Sequence, residues 1–236
     1  MRFLAEEDFF ELFPEARIGV LVVHGVNNTQ SQTKKTGPIL QAAVEKASPE
    51  LADQDIASHS AIGPWREAYR RFGAKASKHR SSVESLVRSA LSGRAQSINP
   101  LVDLYNSVSL EYLLPCGGED LDTIRGDIRL TRAGGGESFV ALGSQLEDPP
   151  QDGEVVYRDD EGVICRRWNW REAERTKLTG DTENAILVLE ALPPMAESIL
   201  QQACERLSLL LEQQLGGSIQ LRQILDKSNP KIELAV

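Results

Sequence analysis

"SINPLVDLYNSVSLEYLLPCGGEDLDTIRGDIRLTRAGGGESFVALG", Ser97 to Gly143, is where the chain changes its grammar. Its first half reads as a helix. Asn99–Pro100 is a start signal, and Leu101, Leu104, Tyr105 and Val108 fall on one stripe. After Pro115 the pattern becomes strand-like: "GDIRLTRA" alternates, "GGGE" turns and "SFVALG" returns. Helices before this point and antiparallel strands after it predict an α+β fold.

Working outward, "AEEDFFELF" reads as a short helix and "RIGVLVVHG" as a buried strand. "GPILQAAVEKA" is helical, with Pro38 in its first turn, and "GPWREAYRRFG" and "SSVESLVRSAL" follow as helices. In the last of these Ser81 or Ser82 caps, and Val83, Leu86, Val87 and Ala90 form one face. Beyond the decisive stretch, "GEVVYRDDEGVICRRWNW" is a hairpin turning at Asp159–Gly162, and "NAILVLEAL" is a buried strand. A helix from about Met195 to Leu215 buries Ile199, Leu200, Cys204, Leu207 and Leu211, and "SIQLRQIL" closes as a last strand. "LEDPPQDG" is too short for a domain linker. The expectation is a single domain over 1–236, whose helix-rich 1–115 and strand-rich 116–236 portions do not fold independently.

Length and composition bound the function. The 236 residues, 41% hydrophobic and 26% charged, suit a soluble globular chain with ample core. No apolar run approaches a membrane span, and acids interrupt the first residues where a signal peptide needs an apolar core. Cys116, Cys165 and Cys204 form no CxxC or Cys/His cluster, so no metal or cofactor is expected, and reduced thiols in a cytoplasm fit best. The net charge of -9 argues against a general nucleic-acid coat. Yet between Trp65 and Arg94 stand Arg66, Arg70, Arg71, Lys75, Lys78, Arg80, Arg88 and Arg94 against only Glu67 and Glu84. That face suits a specific anionic partner, or is a solvated helix surface.

The usual catalytic signatures are absent: no GxSxG, HExxH, Walker A loop or GxGxxG after a strand. His24 ends a buried strand, where residues often line a cleft. Cys165 precedes Arg166 and Arg167, which could depress its pKa. Two polar constellations remain. Asp103, Asn106 and Ser107 share a face of an otherwise apolar helix, so they are part-buried and partnered. On "RRWNWR", strand alternation puts Arg166, Trp168 and Trp170 on one face and Arg167, Asn169 and Arg171 on the other. The first face offers a stacking surface, the second donors for carboxylate or phosphate.

In the decisive stretch the "VDxxN" helix (Val102, Asp103, Asn106), Pro115, "DLDTIRGDI" and "GESFVALG" stand in an order that resembles a known family. It is the B3/B4 (tRNA-binding, editing) domain of the bacterial phenylalanyl-tRNA synthetase β subunit. The chain more closely resembles free-standing proteins built from that domain alone, which "WREAYRRFGAKASKHRSSVESLVRSAL" matches. The resemblance runs from about Ile18 onward. It implies a three-layer arrangement around an antiparallel β-sandwich flanked by helices, and removal of a wrong amino acid from a tRNA 3′ end. Two departures matter: Gly117 stands where the family pattern has a histidine, and Arg166 to Trp170 replace a glycine-rich turn that leaves room for an aromatic side chain. Bulky rings there would shrink the pocket. The acidic residue after the last core strand is retained as Glu190.

With that resemblance the first functional expectation is a trans-acting aminoacyl-tRNA deacylase, working on the aminoacylated 3′ end with the amino acid as ligand. Asn106 and Asn169 would hold water or substrate hydroxyls, and Glu190 would bind the ammonium group or act as base. Asp103, Arg166, Trp168 and Arg171 would bind substrate, the arginines at the terminal phosphate or carbonyl. Arg66, Arg70, Lys75, Lys78 and Arg80 would hold acceptor-stem phosphates. The alternative is a non-catalytic module that binds an amino acid, a small anionic metabolite or RNA, favoured by the loss of the histidine position.

Overall fold

The computed structural model describes residues 1–234. In chain order the elements are β1 (Arg2–Ala5), α1 (Glu7–Leu12), β2 (Arg17–His24), α2 (Thr33–Leu51), α3 (Gly63–Arg71), α4 (Ser82–Leu91) and α5 (Pro100–Tyr112). There follow β3 (Cys116–Asp120), β4 (Ile128–Arg132), β5 (Val155–Arg158), β6 (Val163–Arg166), β7 (Arg171–Glu172), β8 (Ala185–Ala191), α6 (Glu197–Leu215), β9 (Ser218–Leu225) and β10 (Lys231–Glu233). The strands form a six-stranded sheet in the order β10-β1-β4-β5-β6-β7 and a four-stranded sheet in the order β3-β8-β2-β9. Every described pairing is antiparallel except β1 with β4. The α+β expectation is met.

Local chemistry explains the helix starts. The Asn99 side chain accepts from the Val102 amide, and Pro100 follows at the first position, where its missing N–H costs nothing. Ser81 caps α4 by accepting from the Glu84 amide. α2 departs from expectation: it begins at Thr33, so Pro38 lies inside it rather than in its first turn. A 3₁₀ turn at Gln30–Gln32 leads the chain into that earlier start.

The two sheets face each other across one core. Ile18, Val20 and Val22 of β2 meet Phe3, Leu130 and Tyr157 of the six-stranded sheet there. α1, α3 and α4 add Phe9, Trp65 and Val87 to this core. The other face of the four-stranded sheet gives Leu21, Leu187 and Leu189 to a second core against Leu104 and Val108 of α5 and Leu207 and Leu211 of α6. Period-2 alternation in β2 and β8 thus feeds two cores from each strand, which is why both read as continuous apolar runs. Gly19 is required where α6 crosses β2, because a Cβ there would strike the Cys204 sulfur.

Three strand expectations change. "SFVALG" makes only isolated bridges, Val140 to Glu147 and Ala141 to Ala173, and β4 pairs with β5 instead. Phe139 and Ala141 use their alternation to cover the outer face of the six-stranded sheet with Val156 and Val163. "SIQLRQIL" forms β9, but β10 follows it and pairs with β1, a strand the opening residues did not announce.

Candidate functional site

β8 points Ile186, Val188 and Glu190 between the sheets, and the register Gly117 to Val188 and Glu119 to Ile186 puts two β3 residues on the same face. From the facing sheet, Tyr157, Cys165 and Glu172 are register partners in turn and so also point inward. Between them lies a cavity of about 40 Å³, whose lining also includes Trp168, Asn169 and Ser82. Room for a water takes roughly 10–15 Å³, so the space admits about three.

One carboxylate dominates the network. Glu190 is 1% exposed, accepts from Tyr157 Oη at 2.5 Å on Oε1, and accepts from Asn169 Nδ2 at 2.5 Å on Oε2. Asn169 Oδ1 in turn accepts from Tyr69 Oη at 2.9 Å. The Trp168 indole N–H approaches the same carboxylate without completing a well-directed hydrogen bond. Burial lifts the Glu190 pKa to about 7 against the opposing pull of these donors. A group titrating there can take up a proton at neutral pH and return it.

A second acidic feature was not foreseen. Glu119 and Glu172 both reach the cavity, from the edge strands β3 and β7. Burial, then the Glu172 charge, push Glu119 well above the usual carboxylate range, and burial also raises Glu172. Gly117 sits beside the pair: a Cβ there would lie 3.1 Å from Glu172 Oε1. A histidine at that position would have to displace Glu172. Among the described residues no three His, Cys, Asp or Glu side chains converge as metal ligands.

The expected strand faces of "RRWNWR" do not form. β6 ends at Arg166, and Arg167 and Trp168 take left-handed backbone at φ 48° and 67°. For non-glycine residues this costs about 1–2 kcal/mol each. It breaks the alternation and drives Trp168 into the sandwich, 0% exposed, with its ring centroid 4.9 Å from Phe9, 4.8 Å from Phe13 and 4.9 Å from Trp65. Arg166 points to the opposite side of the sheet, where its Nε and Nη2 donate to the two oxygens of Glu154 at 2.8 and 2.9 Å. Its Nη1 meets Asp148 at 2.7 Å. It is a buried structural ion pair, away from the cavity. Arg171 is exposed, 4.9 Å from the Trp170 ring, and does not line the cavity either.

The helical constellation is structural too. Asp103 is buried and accepts from Thr36 Oγ1 at 2.8 Å, Ser97 Oγ at 2.7 Å and the Ile98 amide at 3.0 Å. It ties α2 and the loop before α5 to α5, as expected for a partnered buried group. Asn106 is half-buried and lies outside the cavity lining.

In the basic segment, Glu84 is fully buried and collects the arginines. Arg66 Nη1 donates to its oxygens at 2.8 and 3.0 Å, Arg88 Nε at 2.9 Å, and Arg80 Nε lies 3.6 Å away. Arg70 pairs with Glu67. Lys75 and Lys78 are exposed. Cys165 also departs from expectation. Burial, then Glu172 and Glu119, raise its thiol well above the usual range, and the Arg166 guanidinium turns away to Glu154. Burial likewise raises Cys204, to about 12.

Of the expected catalytic and substrate residues, the structure brings Asn169, Glu190 and Trp168 together and leaves Asn106, Asp103, Arg166 and Arg171 elsewhere. Missed were Tyr157, Glu119 and Glu172. Each sits at an inward position of a strand whose register alone reveals it.

Facing sheets around a largely apolar cavity that holds three carboxylates, with helices on the outer face, define an α+β sandwich domain. The B3/4 domain family model matches residues 64–215, and the chain belongs to that family. It is 38% identical over 66 residues to a phenylalanine–tRNA ligase beta subunit of Ruegeria pomeroyi, a stretch covering 28% of this chain and 8% of that one. In fold it is similar to an N-terminal fragment of the phenylalanyl-tRNA synthetase beta-subunit from Pyrococcus horikoshii. The TM-score is 0.50 and the identity 14%, covering 94% of this chain and 53% of that one. The chain therefore spans only part of each relative.

Proposed function

We propose that the protein hydrolyses the ester of mischarged aminoacyl-tRNA in trans. The observation that carries this reading is Glu190: a buried carboxylate, held on both oxygens by Tyr157 and Asn169 and titrating at about 7, on the wall of an inter-sheet cavity. In this reading the Glu190 carboxylate takes a proton from water as the water oxygen attacks the ester carbonyl. The bond from the carbonyl carbon to the ribose oxygen then breaks, and that proton passes to the departing ribose hydroxyl. Asn169 positions the base, and the Trp168 N–H lies where it can donate to developing charge on the carbonyl oxygen. No protein nucleophile is required. The kinship with synthetase beta subunits supports tRNA as the partner, and exposed Lys75, Lys78 and Arg80 offer phosphate contacts beside the site.

A second reading is a binding module without turnover, favoured by Gly117 at the position of the family histidine. The three carboxylates at the cavity speak against its anionic-metabolite form. Single-turnover deacylation across a panel of mischarged tRNAs, for wild type and Glu190→Gln, decides between the two. Hydrolysis of at least one ester that the variant slows about a hundredfold or more supports the enzyme. Retained binding of an amino acid or RNA with no hydrolysis of any ester supports the module.

A further inference from the structure

We infer that the inter-sheet cavity is a subsite for a small aminoacyl group of about alanine size, its α-ammonium held between Glu119 and Glu172. The inference rests on the deacylase reading of this site and deepens it by naming the substrate class.

Charge is the first argument. Glu119 is 6% exposed, and the Oε2 atoms of Glu119 and Glu172 are both buried without an N–H or O–H partner. Arg175, the cation whose charge reaches Glu119, is itself paired with Asp159 at 2.7 Å. Buried carboxyls are ordinarily paired or fully hydrogen-bonded. An ammonium group lodged between these two orphan oxygens supplies both the charge and the donors they lack.

An unsatisfied donor is the second and independent argument. Trp168, fully buried, lines the same cavity with its Nε1–H beside Glu190 but in no well-directed hydrogen bond, and the Ser82 hydroxyl there is buried without a partner. Orphan acceptors and underused donors in one cavity lining match a ligand that is cationic at one end and carries a carbonyl at the other. An α-amino ester has that sequence of groups.

Size is the third. About 40 Å³ is room for a few heavy atoms, which suits an alanyl group and not a long side chain. An aromatic side chain finds no room, because the Trp168 ring fills the sandwich where it would lie.

The test is calorimetric binding of alaninamide, N-acetylalaninamide and phenylalaninamide, with Glu119→Gln/Glu172→Gln beside the wild type. Wild type should bind alaninamide at least tenfold more tightly than either other probe, and the double variant should lose at least tenfold for alaninamide. Equal binding of the acetylated or the aromatic amide by wild type overturns the inference whatever the variant's folding, as does no binding of alaninamide at all. Deacylation separates the two claims. If alanyl-tRNA and N-acetylalanyl-tRNA are hydrolysed equally, the subsite fails and the deacylase reading stands. If alaninamide binds as described and no aminoacyl-tRNA is hydrolysed, the deacylase reading fails and the subsite stands.

Discussion

Asn169 spans the gap between a helix and a strand: its Nδ2 donates to Glu190 at 2.5 Å while its Oδ1 accepts from Tyr69 Oη of α3 at 2.9 Å. Removing it therefore strands two buried groups at once. Asn169→Ala should cost about 1–3 kcal/mol for each group left unpaired. Arg171→Ala, on an exposed side chain, should stay within about 0.5 kcal/mol. Urea denaturation of both variants checks the contrast, and equal, small losses would remove Asn169 from the network.

Glu190 makes stability depend on pH in a stated direction. Its folded pKa of about 7 lies above the unfolded value, so its contribution is fully present below the unfolded pKa and is lost as pH rises through 7. The shift is worth about 3 kcal/mol. Relative to Glu190→Gln, wild type should thus lose stability by that order between pH 4.5 and 8. A flat difference across that range would mean that Glu190 is ordinarily hydrated.

Trp168 serves both packing and chemistry, and two substitutions separate them. Trp168→Ala should cost about 3–5 kcal/mol by opening a void among Phe9, Phe13 and Trp65. Trp168→Phe keeps a ring and removes the N–H, and should cost less than Trp168→Ala because it leaves a smaller void. If the indole N–H contributes to ester hydrolysis, the phenylalanine variant should still slow it measurably per folded molecule. Unchanged single-turnover rates would leave Trp168 as packing alone.

The secondary structure was legible wherever local chemistry and tertiary packing agreed. Asn99–Pro100, Ser81 and the continuous apolar runs of β2 and β8 each carry their physical cause in adjacent residues. The site was legible only in part. Alternation predicted the faces of "RRWNWR" wrongly because the backbone turns left-handed at Arg167 and Trp168, a strain held in place by the burial of the Trp168 ring. Nothing adjacent to Glu84 or Glu119 marks them as buried, or Glu172 as facing a cavity. Their surroundings come from α3, from the facing strand edge and from pairing registers set many residues away. Arg166 misled for the same reason, since its partner Glu154 lies across the hairpin.

The basic segment should split by function. Lys75→Ala with Lys78→Ala should reduce the log–log salt slope of tRNA binding by up to about two units, leaving stability within about 0.5 kcal/mol. Arg66→Ala should instead destabilise, since it strips the buried Glu84 of its shortest contact. An Arg66 variant of full stability with a flattened salt slope would return that residue to the RNA-binding face.

The placement of β2 also bears on how the chain is made. Residues 17–24 find both neighbours far along the sequence, β8 at 185–191 and β9 at 218–225. Until about 170 further residues, through β8, have been synthesised, this intensely apolar strand has no sheet to join. Such distant pairing predicts slow folding and an exposed strand edge on the ribosome, a liability met during synthesis and absent from the finished molecule.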